Sequence, residues 1–302
     1  IILQVLEVGD PARHHSDRQR LVSQNAFYRL VAADMNLSAN STYENQFGFI
    51  QRPTHRNTTW HRAQFEVCGH RFADVSEFGY GVALLNDSKY GHACENSTLR
   101  LSLLRASTLP DDEQDQGAHH FSFAVLPHRG SFAESDVPAV ARMFNYPLHL
   151  RRLPSLALTE SELIKSRDDR HGQGPFSVVG ARNVVLDTVK RGEEDDFSAR
   201  SKHETVILRL YEAYGGAAKA KIAATVPEGR KIASAELVDV RPSSLRPEKG
   251  HILTMFLQIL ERKVDDLAVS DKSVSGSASS TFSIDLPRMR AFQIVTVKLT
   301  LA

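Results

Sequence analysis

The chain has 302 residues, 41% hydrophobic and 24% charged, values ordinary for a globular protein. That length suits one large or two medium domains, each with a real core. Lys and Arg total 37 against 36 Asp and Glu, so no net field exists to recruit nucleic acid or an anionic membrane.

Residues 1–45 carry the weakest pattern. Ile1–Val8 reads as one strand. It has no basic leader and no small-residue cleavage site, so it is not read as a signal peptide. The chain begins at Ile1 rather than at methionine, which suggests a processed or truncated piece. Asp10–Arg20 is polar, and Ala26–Asn36 has no clean period. No apolar run anywhere approaches the roughly 20 residues that span a bilayer.

From Phe47 onward the pattern is β. Phe65-Glu66-Val67 is a short alternation, and Gly81–Leu85 is an apolar run ended by the turn pair Asn86-Asp87. Leu99–Arg105 alternates as a half-buried strand does, and His120–Leu126 alternates again before a turn at Pro127–Gly130. Ser135–Phe144 is a helix, with Ser135 as N-cap and Pro138 in the first turn. Residues 151–175 read as a linker. Beyond it the expected strands are Phe176–Val179, Val184–Lys190, Thr205–Ala213, Lys219–Val226, Ile232–Asp239, Leu253–Glu261, Phe282–Leu286 and Phe292–Leu301, with Val269–Ser280 a Ser-rich loop. Many strands, turn punctuation and few helices predict antiparallel sandwiches.

The stretch from Gln46 to Arg105 concentrates the chemistry. It holds Trp60, the chain's one tryptophan, and both cysteines, Cys68 and Cys94. Two cysteines can pair once at most, which is no disulfide framework and fits a reduced compartment. His55, His61 and His70 match no zinc spacing. There is no nucleophile elbow and no phosphate-binding glycine loop. Glu66, Asp74, Glu77 and Asp87 are carboxylate candidates, but sequence places no two of them across a scissile bond. Sequons stand at Asn36, Asn40, Asn57 and Asn96, and would be glycan acceptors in a secreted protein. Aromatic residues mixed with Arg, Asp and Asn suit a sugar-facing surface.

The blocks QRPTHRNTTW, FEVCGHRFADVSEFGYGVALLNDSKYG and LRLSLLRA resemble the C-terminal half of glycoside hydrolase family 38 α-mannosidases, in the cytosolic or vacuolar branch. PDDEQDQGAHHFSFAVLPHRGSF, FNYPL, VVLDTVKR, VILRLYEAYGG and FQIVTVKLTL extend the resemblance over roughly residues 43–302. The resemblance implies an all-β chain: a large antiparallel β-sandwich, supersandwich-like, followed by a smaller C-terminal β-sandwich. The expected organisation is a poorly defined segment at 1–42, part of the large sandwich at 43–150, the linker at 151–175 and the second sandwich at 176–302.

Enzymes of that family resemble one another in being retaining exo-α-mannosidases whose zinc ligands and aspartate nucleophile lie in an N-terminal barrel. Nothing in this sequence matches that barrel. The resemblance therefore implies no catalytic residue and no metal ligand in this chain, with zinc held upstream. A basic residue of the β region reaches the pocket in some members, and Arg105 is the position that aligns with it. Asp87 and His55 are the other substrate-binding candidates. The implied partners are α-mannoside oligosaccharides, an N-terminal catalytic domain of the same enzyme and further copies of the chain, with no nucleic acid and no membrane. The implied location is cytoplasmic or vacuolar.

Two departures stand out. His61 follows Trp60 where the family usually has an acid, and CENST replaces a glycine-containing turn before the RLSLLR strand. Two further readings stay open: a stand-alone sugar-binding module, and a structural subunit of a separately encoded catalytic chain.

Overall fold

Side chains alternate across a strand, so a strand with one covered face should bury every second residue. Thr98–Leu104 does this along its whole length, with Leu99, Leu101 and Leu103 buried. The structure, a computed structural model, describes residues 2–5, 26–31, 40–96, 98–104, 110, 119–147, 149, 174–193, 195, 204–227, 229–239, 262–272 and 279–302. The chain divides into two compact units, Ile1–Leu150 and Arg151–Ala302. Most of the expected linker lies outside the described residues, as does Leu253–Glu261.

The first unit contains β1 (Ile2–Val5), β2 (Ala26–Val31), β3 (Asn40–Asn45), β4 (Gly48–Pro53), α1 (Thr59–Ala63), β5 (Val67–Cys68), β6 (Phe72–Glu77), β7 (Tyr80–Asn86), β8 (Gly91–Glu95), β9 (Thr98–Leu104), β10 (Phe121–Arg129) and α2 (Val137–Asn145). A six-stranded sheet runs β1-β10-β7-β6-β3-β4, and a four-stranded sheet runs β2-β9-β8-β5. All pairings are antiparallel. Tyr43, Ala73, Val75, Leu84, Phe121 and Phe123 of the larger sheet share one core with Leu99, Leu101 and Leu103 of the smaller. That is a sandwich, as expected.

The second unit contains β11 (Phe176–Val179), β12 (Val184–Arg191), β13 (Glu204–Glu212), β14 (Lys221–Pro227), β15 (Ile232–Asp239), β16 (Arg262–Asp266), β17 (Val269–Asp271), β18 (Ser279–Asp285) and β19 (Ile294–Leu301). Sheets β11-β14-β18-β17 and β12-β13-β19-β15-β16 enclose a core of Leu208, Leu210, Ile222, Ile284, Val297 and Leu299, among others.

Several elements differ from the expected ones. The turn at Pro127–Gly130 starts later, because β10 stays paired with β7 through Arg129 and only Gly130, at φ 72, turns. The Ser-rich loop begins with β17, and β18 starts at Ser279. The helix starts at Val137 with Asp136 at the N-cap, and the Ser135 hydroxyl accepts a hydrogen bond from the Val137 amide at 3.3 Å. The CENST turn works without glycine because Asn96 adopts φ 53, and asparagine tolerates the left-handed region better than other side chains.

β7 buries six consecutive residues, Gly81–Asn86. Leu84 faces the core shared with the smaller sheet, and α2 also packs against the strand, so both its faces are covered. A strand covered on both faces reads as a continuous apolar run. Its last residue, Asn86, is fully buried. The Asn86 side chain donates to His70 O at 2.7 Å and accepts from Lys89 N at 2.8 Å, while its backbone O accepts from Asn145 Nδ2 at 2.9 Å. Glu44 of β3, also buried, takes both the amide of Arg71 (2.7 Å) and its guanidinium (2.8 Å), which fixes the entry into β6.

The half-buried His128 and the buried His92 sit in this unit with opposite electrostatics. His128 Nε2 meets the Asp74 carboxylate at 2.7 Å. Gly81 makes room for it, since a Cβ there would overlap the imidazole. Burial opposes the charged ring, but the hydrogen bond and charge of Asp74 outweigh it and raise the His128 pKa above 6.5. Burial instead pushes His92 down to about 4. The His128 contribution to stability is complete below 6.5 and is lost as pH rises through its raised folded pKa. The His92 contribution is complete above 6.5 and disappears as pH falls to about 4. Together they place a stability maximum for this unit close to 6.5. Melting temperature should therefore decline on the alkaline side of that value, and His128→Gln should flatten that limb while leaving the acid limb. An alkaline decline that persists in His128→Gln would contradict the assignment.

In the second unit, Glu212 is buried and accepts hydrogen bonds from Tyr214 N (3.0 Å), Gly215 N (2.8 Å), Phe292 N (3.0 Å) and Asn183 Nδ2 (2.9 Å). Phe292 takes φ 56 at this junction. Removing the carboxylate strands four donors, so Glu212→Ala should cost about 3 kcal/mol, the scale of a lost charged hydrogen-bond partner. Denaturant unfolding of the chain measures this, and a loss under about 1 kcal/mol would remove Glu212 as an anchor.

Candidate functional site

The chain leaves β4 at Pro53 and re-enters the smaller sheet at β5. Between them, Thr54 is buried and its carbonyl accepts from Asn96 N at 3.0 Å, which ties the exit of β4 to the β8–β9 turn. Thr58 caps α1, its hydroxyl accepting from His61 N at 3.2 Å. This cap sets the start of the short helix. The result is a solvent-open cleft lined by Tyr43, Arg52, His55, Arg56, His61 and Cys94 with Pro53, Gln64 and Val67.

The cleft is basic. Arg52 is held from two sides, with Nη1 donating to Cys68 O at 3.0 Å and the guanidinium 5.0 Å from the Tyr43 ring centroid. His55 and His61 meet edge to face at 4.9 Å between ring centroids. Arg56 lies 3.5 Å from Glu95, which is also 3.6 Å from Arg100. Burial pushes the Tyr43 phenol up to about 12 and the Cys94 thiol up to about 11. Both therefore line the cleft as neutral groups at ordinary pH. His61 Nδ1 is buried without a hydrogen-bond partner. On the same segment Trp60 and Phe65 stand largely exposed.

The three residues singled out from sequence fall in different places. His55 lines the cleft. Asp87 lies in the turn after β7, where Oδ2 accepts from Ser122 N at 3.0 Å and its own amide donates to Ser122 O at 3.2 Å. Its carboxylate thus ties the turn to β10. Arg105 lies outside the described residues. Arg52, Arg56 and Tyr43 were not singled out. The R-P-T-H-R sequence at a strand exit was the available signal, since a proline ending a strand leaves flanking basic side chains at its end.

The described residues do not fit a zinc site. Among them no group of three His, Cys, Asp or Glu converges to hold a metal ion. His55 and His61, which meet edge to face, share their cleft with two guanidinium groups that repel a cation.

Comparison with known proteins agrees with the fold. The pattern described as "Glycosyl hydrolases family 38 C-terminal domain" matches residues 23–113. Alpha-mannosidase 2C1 of Homo sapiens is 41% identical over 211 residues, covering 70% of this chain and 19% of that protein. Alpha-mannosidase of Saccharomyces cerevisiae is 38% identical over 192 residues, covering 62% of this chain and 16% of that protein. The chain thus spans less than a fifth of the length of these relatives. Among solved structures, an alpha-mannosidase from Enterococcus faecalis superposes with a TM-score of 0.56 over 89% of this chain and 25% of that one, at 12% identity, a likeness of fold alone. Sequence similarity and fold converge, and the chain belongs to glycoside hydrolase family 38, whose C-terminal domain it carries.

Proposed function

We propose that this chain works as the C-terminal β portion of an exo-acting, retaining α-mannosidase that releases terminal α-D-mannose from oligosaccharides. The supporting observation is the 41% identity over 211 residues to a protein named alpha-mannosidase 2C1, together with the match to the family's C-terminal domain. Retention of configuration needs two carboxyl groups about 5–5.5 Å apart across the glycosidic bond. In this reading those groups, and the zinc, belong to an N-terminal catalytic domain. The β portion supports that domain and supplies part of the wall around the sugar, with Arg105 as the residue that reaches it. A cytoplasmic or vacuolar location goes with the same reading. Among the described residues no helix is long and apolar enough to cross a membrane.

Two measurements test this. The 302-residue chain by itself should turn over no aryl α-mannoside, with or without zinc, and the native polypeptide in its source should have an intact mass well above 33.6 kDa. Turnover that follows the chain through purification would overturn the division of labour. An intact mass near 33.6 kDa would turn the question to mannoside binding by a stand-alone module. In the full-length enzyme, Arg105→Ala should lower kcat/KM by about tenfold or more, the loss expected for one charge-assisted contact, with the melting temperature unchanged. An unchanged kcat/KM removes Arg105 from the wall.

A further inference from the structure

We infer that the cleft between β4 and α1 binds a phosphoryl group. This inference rests on the cleft itself and stands apart from the mannosidase reading.

The charge balance of the cleft carries it. Arg52, Arg56, His55 and His61 converge there, and no carboxylate is among the lining residues. Glu95 touches Arg56 from outside the lining and divides its charge with Arg100. Among the described residues no carboxylate pairs with Arg52, which instead meets a carbonyl and a ring face. Two guanidiniums facing one cleft repel each other unless an anion joins them.

The donors also suit an oxyanion. A guanidinium has five N–H donors in a planar fork, and Arg52 uses one of them on Cys68 O. The Tyr43 ring and that carbonyl fix the fork in place, so little freedom is left to lose on binding. Forked Arg donors match phosphate oxygens in pairs. Two guanidiniums supply more positive charge and more donors than one carboxylate can use, which favours a dianionic phosphoryl group. His61 Nδ1, buried and without a partner, is a polar group that a ligand oxygen can satisfy.

Calorimetric titration of the 302-residue chain at constant ionic strength tests this with three probes: inorganic phosphate, glucose 6-phosphate and glucose. Saturable binding of both phosphorylated probes is expected, with none for glucose. Tighter binding of glucose 6-phosphate assigns a phosphorylated sugar, and equal binding of the two assigns free phosphate, either of which supports the phosphoryl site. The Arg52→Gln/Arg56→Gln double variant should bind at least about tenfold more weakly, because it loses two charge-assisted contacts. Arg52 also anchors the Cys68 carbonyl, so the exposed His55→Gln provides a second readout, with about threefold weaker binding expected for one lost donor. Circular dichroism confirms that each variant is folded. Absence of binding by both phosphorylated probes, glucose binding as tightly as they do, or unchanged affinity in His55→Gln overturns the inference.

Discussion

The first sandwich hangs on the placement of one amide, Asn86. It ends the most buried strand of the unit, where chain direction must change without exposing backbone polar groups. Its amide N–H donates to Arg71 O at 3.1 Å and its side chain to His70 O, so the entry into β6 is held to the exit of β7. Its side-chain oxygen closes the turn towards β8, and its carbonyl holds the end of α2. Four separate segments therefore share one buried residue. Asparagine fits because it offers donor and acceptor on one short side chain, where aspartate would offer no donor and leucine neither.

The cleft depends on the same economy of fixed ends. Pro53 ends β4, Thr58 starts α1, and the two lie close enough along the chain that the residues between them have little choice of path. Thr54 bonds across to Asn96, whose left-handed conformation lets a non-glycine residue make the turn. The basic side chains are thus presented by backbone that the β8–β9 hairpin holds in place. This is also why the departure from the family's glycine turn does not disturb the neighbouring strand β9, which keeps its full alternation of burial.

Much of the fold was legible because strand periodicity follows from which faces are covered. Phe176–Val179 and Ile232–Asp239 form with the bounds read from sequence, and β7 and β9 displayed the two-face and one-face patterns they obey. β8 was not legible, because it buries His92 between apolar neighbours and so hides its hydropathy. β5 is two residues long, too short for any period. The clamp at Glu212 joins residues 80 apart in sequence, and nothing local distinguishes that glutamate from a surface one. At the candidate site, His55 was visible as a basic residue in a polar run. Its assembly with Tyr43 and Cys94 was not, because those residues arrive on β3 and β8, and only strand pairing brings them together.

Pro127 gives β10 a property that its sequence neighbours conceal. Hydrogen-bonded pairs with β7, such as Asp87–Ser122 and Gly130–Gly79, fall on even-numbered residues of β10, so the nitrogen of Pro127 points away from β7. On that outer side β1 covers β10 only from Phe121 to Ala124, and no other described strand continues the cover. A bare strand margin is a template on which a foreign strand can add. A missing N–H in the middle of that margin breaks the row of donors an added strand would need. The proline thereby acts as a guard against self-association, and a lineage that replaced it would keep the fold while acquiring a sticky edge.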